Sequence, residues 1–289
     1  YMPGKNEVVW VENRLNAPLE VKKAFQFLHS DDPRTKRDGE GYLPSDQLYV
    51  FAPDSQKIMF KKARRFTRSE MMVMDMLSTN EWKRPIYFAV TIGNDYHLGL
   101  DPYLELTGLA YRITPERSAD GRHRVNTEVM YDNMLHKFKY GNMNVPGIYI
   151  DENTMRMCRT HRMMFMELAE ALYNEGKHDK CLEVLDFAEE MLPGYNISYD
   201  YTSATMAVYY YQLGEIEKAN AIMTKVADNS VEYMAWGASL PKEQRASSQS
   251  TLQQQLAILG YVLQNFERYQ QKELFNLYYD LYVQYASVR

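Results

Sequence analysis

The sequence predicts an α+β protein: a small N-terminal α+β unit with a short sheet over residues 1–125, then an all-α array of helical hairpins over 126–289. Three observations predict it. Ile86, Phe88, Val90 and Ile92 alternate with Tyr87, Ala89 and Thr91, the two-residue period of a strand. From Asn153 onward the chain keeps an almost unbroken helical period. Inside that stretch Gly176 and Gly214 sit in matching registers of small and apolar residues.

In chain order, residues 7–12 read as a short strand of β-formers. Asn16-Ala-Pro18 is expected to open a helix, because proline fits a first turn, and Val21, Ala24, Phe25 and Leu28 give that helix one apolar face. The charged stretch 31–41 reads as a surface loop. Its Gly39-Glu-Gly41 lacks the preceding strand and the Gly-Lys-Ser/Thr ending of a phosphate loop. Two β-runs, 48–52 and 56–60, flank Pro53-Asp54-Ser55 as a hairpin.

Thr67-Arg-Ser-Glu70 has capping-box form and starts a helix. With Met71, Met72, Val73, Met74, Met76 and Leu77 that helix is expected to be apolar on most sides and buried. Pro85 precedes the alternating run at a place where its missing N–H is tolerated, and Leu109, Tyr111 and Ile113 make a second alternation. Residues 115–126 form a polar loop. Thr127 opens a helix carrying Met130, Met134 and Phe138, and 141–147 is a break. Asn153 or Thr154 is expected to cap the long helix that follows. Residues 237–250 read as a polar interruption before two last apolar stripes, one through Leu252, Leu256, Leu259 and Leu263 and one through Leu274, Leu277, Tyr278 and Leu281.

With Gly176 as a turn glycine, Cys181 follows five positions later, Leu185 nine, Ala188 twelve and Pro193 seventeen. That is the spacing of the 34-residue tetratricopeptide repeat. Leu168, Ala169 and Leu172 precede the turn. A second unit around Gly214 has Met206, Ala207, Tyr210, Ala219, Met223 and Val226, offset by 38 residues. The repeats then run over about 163–195 and 201–230, with 249–287 as a capping pair that lacks repeat residues. The small residues let helices cross closely, and one such pair must stack on a neighbour to bury its apolar face. An ordinary αα-hairpin domain without a groove is the rival reading. In repeat geometry the first helix of each pair lines a concave face. This would turn Glu170, Tyr173, Asn174, Tyr201, Tyr211 and Gln212 toward a groove, a mixture suited to an extended peptide or glycan.

A net charge of −5 argues against general nucleic-acid binding. Two cysteines, Cys158 and Cys181, exclude a disulfide framework. The most apolar run, 85–93, falls far short of the ~20 residues a membrane-spanning helix needs. No signal peptide is visible, and the opening Tyr-Met-Pro-Gly-Lys reads as the start of an excised piece. The frequent tyrosines (24) and methionines (18) are suited to sugar or peptide sites, and still more to helix interfaces.

The histidines form no His-x-x-x-His pair, and Cys158 with His161 lacks a second pair of metal ligands. No nucleophile elbow and no dinucleotide fingerprint is present, so no catalytic residue, cofactor or metal site is expected. The one basic cluster is Lys57, Lys61, Lys62, Arg64, Arg65 and Arg68. It reads as a solvated strand edge or as a contact for anionic headgroups. Two polar runs stand out: Trp82-Lys83-Arg84-Pro85, and Arg156, Arg159 and Arg162 on one helix. The arginines are read as a cationic face for inter-domain salt bridges or for an anion.

Four motifs carry a resemblance: Asn80-Glu-Trp-Lys-Arg-Pro-Ile-Tyr-Phe-Ala, the stretch from Leu98-Gly-Leu-Asp-Pro-Tyr to Leu109-Ala-Tyr-Arg, Val129-Met-Tyr-Asp, and Arg156-Met-Cys-Arg-Thr-His-Arg. In this order they resemble the carboxy-terminal soluble part of a bacterial family of multi-spanning membrane proteins, a domain of unknown function. That family is similar to the vertebrate transmembrane protein O-mannosyltransferase with tetratricopeptide repeats. The resemblance covers about 15–230 and implies a polytopic, glycosyltransferase-like part that would carry the catalytic acids and is absent from this chain. It also implies that the tail faces the periplasm of a bacterial inner membrane. Trp82, Arg84, Arg156, Arg159 and Arg162 are then family signatures of unassigned role.

The resulting expectation is a non-catalytic extracytoplasmic tail that docks an acceptor polypeptide or glycan beside its own membrane domain, with no nucleic acid and with membrane contact through the basic cluster. A free-standing periplasmic carbohydrate- or peptide-binding module is the alternative. A soluble glycoside hydrolase with an unrecognised carboxylate pair is a third reading.

Overall fold

The computed structural model describes residues 8–287, so the readings of the opening pentapeptide and of Glu7 as a strand residue lie outside it. The chain divides between Asn126 and Thr127 into two compact units.

The first unit contains β1 (Val8–Trp10), β2 (Leu19–Glu20), α1 (Val21–His29), β3 (Lys36–Arg37), β4 (Glu40–Gly41), β5 (Leu48–Phe51), β6 (Lys57–Met59) and β7 (Arg65–Thr67). It continues with α2 (Arg68–Asn80), β8 (Tyr87–Ala89), β9 (Leu104–Leu106), β10 (Ala110–Ile113) and β11 (Arg124–Val125). In place of one sheet there are two, β2-β5-β6 and β11-β9-β10-β8, besides the ribbons β1-β7 and β3-β4. The hairpin at Pro53-Asp54-Ser55 is present as β5 and β6. Val21, Leu43, Leu48, Ile58, Phe66, Met74, Leu98 and Leu104 form the core.

Several local expectations change. Pro18 lies outside α1, because Leu19 and Glu20 pair in parallel with Leu48 and Tyr49 and delay the helix to Val21. The capping box at Thr67 and Glu70 is complete. Yet α2 buries only Met71, Met74, Leu77 and Ser78, while Met72 and Met76 are exposed on its other side. The strand over 86–92 shortens to β8, since the Ile92 N–H turns back to the Ala89 carbonyl.

The second unit is helical. It comprises α3 (Thr127–Asp132) with a π-helical turn over 133–137, α4 (Glu152–Asn174), α5 (His178–Met191), α6 (Tyr201–Gln212) and α7 (Ile216–Ser239). After these come α8 (Lys242–Ser247), α9 (Gln249–Arg268) and α10 (Lys272–Ala286). Asp151, not Asn153 or Thr154, caps α4: its Oδ1 accepts from the N–H groups of Asn153 and Thr154 at 2.9 and 3.2 Å. The interruption over 237–250 is mostly helical, as the end of α7 and the whole of α8.

Three hairpins, α4/α5, α6/α7 and α9/α10, share one turn. Its left-handed residue is Gly176, Gly214 or Gln270, at φ 73°, 85° and 61°. Each time the next N–H returns to a carbonyl five residues back: Lys177 to Leu172 at 2.9 Å, Glu215 to Tyr210 at 2.9 Å and Gln271 to Phe266 at 2.7 Å. This is the six-to-one closure of a Schellman motif. The pair α9/α10 therefore has the same joint as the other two, hidden in the sequence because glutamine stands at the glycine position. Small residues sit at the helix crossings as expected: the buried Cys181 thiol meets the Ala169 carbonyl at 3.3 Å, and Ala188, Ala207 and Ala219 are buried.

Candidate functional site

The first helices of the three hairpins, α4, α6 and α9, carry a row of tyrosines. The Tyr173 ring stacks on His178 at 4.8 Å and lies 5.6 Å from Tyr209. Tyr201 and Tyr261 meet at 5.0 Å. On α6 the residues Tyr201, Thr205 and Tyr209 follow at four-residue steps, so they share a face. Burial first, and then the Glu170 carboxylate, raise the Tyr209 hydroxyl above the usual phenol range. Burial also raises Tyr261, against a hydrogen bond with Thr205 that lowers it. Phenols this far above neutrality stay protonated and act as hydrogen-bond donors and acceptors.

Of the residues expected to line a groove, Glu170, Asn174, Tyr201 and Gln212 are exposed and Tyr173 is half-buried. Tyr211 does not belong with them. It is 4% exposed and packs against Tyr269. A helix turns about 100° per residue, so Tyr211 points about 200° away from Tyr209. Tyr209 and Tyr261 are the members that the sequence reading missed; the two four-residue steps from Tyr201 through Thr205 were the available signal for the first.

Arg156, Arg159 and Arg162 do not make one cationic face. Three-residue steps drift around a helix, leaving Arg162 about 120° from Arg156. Arg156 and Arg159 are exposed, and Arg156 donates to Asn153. Arg162 is 1% exposed and donates to the carbonyls of Ser198 at 2.9 Å, Leu192 at 2.9 Å and Ile197 at 2.8 Å. Burial lowers its pKa, while Asp200 and Glu189 oppose that shift. Its role in this unit is to hold the α5–α6 connection. That connection borders an open cleft of 600 Å3 with Tyr195, Tyr199, Ile222 and Lys225.

In the first unit Asn80 closes the loop that carries Trp82. Its side chain donates to the Arg84 carbonyl at 2.6 Å and accepts from the Arg84 N–H at 3.2 Å. Glu81 and Trp82 are both left-handed, at φ 50° and 60°. Each costs about 1–2 kcal/mol relative to ordinary helical backbone. The strain turns the indole inward, where its N–H donates to the Phe51 carbonyl at 2.8 Å. A pocket of 220 Å3 lies beside it. Arg84 is exposed on the same loop.

The basic cluster is partly occupied within the unit. Lys57 lies over the Tyr49 ring at 4.5 Å, Arg65 over Trp10 at 5.8 Å, and Lys61 pairs with Glu70 at 3.3 Å. Lys62, Arg64 and Arg68 are exposed.

Burial pushes the Cys181 thiol up to about 12 and raises Cys158, so neither is a ready nucleophile. Among the described residues no group of three or more His, Cys, Asp or Glu is placed to hold a metal ion, and no helix is long and apolar enough to cross a membrane.

Together these features define a two-part protein: an α+β unit followed by a helical-hairpin array with an aromatic face on its first helices. Residues 50–132 match the family model of TMEM260-associated domain 2, which links the chain to the TMEM260 family. The matched span lies mostly in the first unit and includes the Trp82 loop. No curated protein and no solved structure matches the chain.

Proposed function

We propose that this chain is the non-catalytic, extracytoplasmic tail of a membrane-embedded, glycosyltransferase-like protein, and that its helical hairpins work as a tetratricopeptide-like array that docks an acceptor polypeptide. The observation that carries the docking reading is the face formed by Tyr173, Tyr201, Tyr209 and Tyr261 with Glu170 and Thr205. Rigid amphipathic rings give contact area at low entropic cost, and the neighbouring carboxylate and hydroxyls supply hydrogen bonds to an extended backbone. The match over 50–132 supports the assignment as a tail. In this reading the periplasmic face is the site of action, and Lys62, Arg64 and Arg68 are the residues available to anionic headgroups.

Two experiments test it. Fractionation of the native gene product should give a band well above 34.0 kDa in the integral-membrane fraction. A soluble band near that mass would leave the alternative, a free-standing peptide- or carbohydrate-binding module. In the full-length protein, a photo-crosslinker at Tyr201 should capture acceptor polypeptide, and Tyr173→Ala with Tyr209→Ala should abolish capture while the helical circular dichroism is kept. Undiminished capture would move docking off this face.

A further inference from the structure

The pocket beside Trp82 has a composition that neither the hairpin array nor the docking reading uses. It lies where α1 begins and α2 ends, and Glu20, Lys22, Phe51, Ser78, Glu81 and Trp82 line it. Its 220 Å3 is below the range that holds drug-sized ligands and is suited to a single small ring. The hydrogen bond to Phe51 fixes the indole and uses its only donor, so the ring offers an apolar surface and nothing else.

The charges around this surface select against ions of either sign. Glu20 is the N-cap of α1 and makes no side-chain cap bond, so first-turn N–H donors and the positive helix end border the pocket on that side, near Lys22. On the other side α2 ends with no basic residue in its last turn, leaving carbonyl acceptors and the negative helix end near Glu81, whose carboxylate pairs with Lys83 at 2.7 Å. An anion meets Glu20, the end of α2 and a Glu81 already paired with Lys83; a cation meets Lys22 and the start of α1. A neutral ring with one apolar face and several hydroxyls, each both donor and acceptor, satisfies both sides and covers the indole.

We propose that the Trp82 pocket binds one ring of a neutral saccharide. This goes beyond the docking reading, which concerns the other unit and other side chains, so either can fail alone.

The test uses the 289-residue chain with its three tryptophans labelled at the indole nitrogen, assigned with Trp82→Phe. Titration with neutral methyl hexosides should shift the Trp82 indole resonance saturably, with Kd on the order of 1–10 mM, ordinary for a ligand of about a dozen heavy atoms. The Trp10 and Trp236 resonances should stay in place and report an intact fold. Glu20→Gln and Glu81→Gln, which leave the indole and its hydrogen bond alone, should each weaken binding roughly fivefold. Absence of any saturable shift at about 100 mM hexoside would overturn the proposal. So would tighter binding of butylammonium or inorganic phosphate, or hexoside affinity unchanged in both glutamine variants.

Discussion

The ring of Tyr211 stacks on that of Tyr269 with centroids 4.3 Å apart and planes 13° from parallel. Polar contacts close the circuit behind the stack. The Tyr211 hydroxyl donates to Asn220 at 2.5 Å, the Asn220 amide donates to Gln271 at 2.9 Å, and the Gln271 amide donates to the Tyr269 carbonyl at 2.7 Å. Tyr211 thus fastens the second hairpin to the third. Tyr211→Phe should keep the stack and cost about 1–2 kcal/mol by orphaning Asn220. Tyr211→Ala should cost roughly 3–5 kcal/mol. Urea unfolding measures both, and an equal cost for the two variants would mean that the stack adds nothing.

Arg162 should be far more sensitive than Arg159, although both belong to one sequence motif. Removing its guanidinium leaves the carbonyls of Leu192, Ile197 and Ser198 without their donors. Arg162→Ala should therefore cost roughly 3–5 kcal/mol, and Arg162→Lys most of that, because an ammonium lacks the fork that reaches three acceptors. Exposed Arg159→Ala should stay within about 0.5 kcal/mol of wild type. Thermal melts of the three variants decide between a structural clamp and a shared cationic face.

Glu189 makes stability depend on pH. It accepts from the Tyr199 hydroxyl, yet burial raises its pKa, more than the Tyr199 bond and Arg162 lower it. The folded protein therefore holds this proton more tightly than the unfolded chain, whose glutamate titrates near about 4.3. The contribution is complete below that value and is lost as pH rises through the raised folded pKa. Glu189→Gln carries no charge at any pH, so its stability relative to wild type should increase as pH rises above about 4.3 and through the raised folded pKa. A pH-independent difference in urea midpoints would argue against the burial assignment.

The three matched turns permit a direct comparison of glycine with a side chain in the left-handed region. A Cβ at Gly176 or Gly214 would meet no heavy atom within 4 Å, so any cost of alanine there is backbone conformation alone. Gly176→Ala and Gly214→Ala should each lose about 1 kcal/mol. Gln270→Gly should change stability the other way, by about 0.5 kcal/mol, since glycine's greater unfolded-state freedom offsets part of the gain. Denaturant midpoints would show it.

Gly237 is needed for a different reason. A Cβ there would lie 2.3 and 2.7 Å from the two methyls of Leu252 and 3.0 Å from its Cγ. Alanine gains about 1 kcal/mol in helix propensity but forces Leu252 to move, at a cost of roughly 1–3 kcal/mol. The net effect should be destabilising, and Leu252→Ala in the same chain should remove the clash. A double-mutant cycle should give a coupling of at least about 1 kcal/mol; a null coupling would place the clash elsewhere.

The two-part α+β organisation was legible because strand and helix periods differ and because two turn glycines repeat a register. The capping box at Thr67 and the hairpin at Pro53-Asp54-Ser55 were legible for the same reason: local chemistry settles them. Long-range pairing was not. Leu19 and Glu20 read as the start of a helix until their partner β5, some thirty residues on, claims them. The third hairpin was hidden by Gln270, whose backbone conformation is imposed by the helices on either side. Half of the candidate face was legible too. Tyr173 and Tyr201 were found from repeat geometry, whereas Tyr211 was misplaced because two positions on a helix reverse the direction of a side chain. The Trp82 loop stood out in sequence, but its pocket depends on α1, β5 and α2 meeting, which no local pattern encodes.

The length of α7 has a further consequence. At 24 residues it spans about 36 Å, and one rod serves two hairpins. Near its start Asn220 bonds Gln271, further on Asp228 takes the Tyr278 hydroxyl and Ser230 reaches Gln255, and at its end Gly237 receives Leu252. In a one-dimensional Ising array each repeat opens against its neighbour through a separable interface. Here the boundary between the second hairpin and the third runs along the length of α7, so opening it breaks contacts at the start, middle and end of that helix together. Amide exchange should accordingly report α6, α7, α9 and α10 as a single foldon, with α4 and α5 able to open from it as a unit of their own.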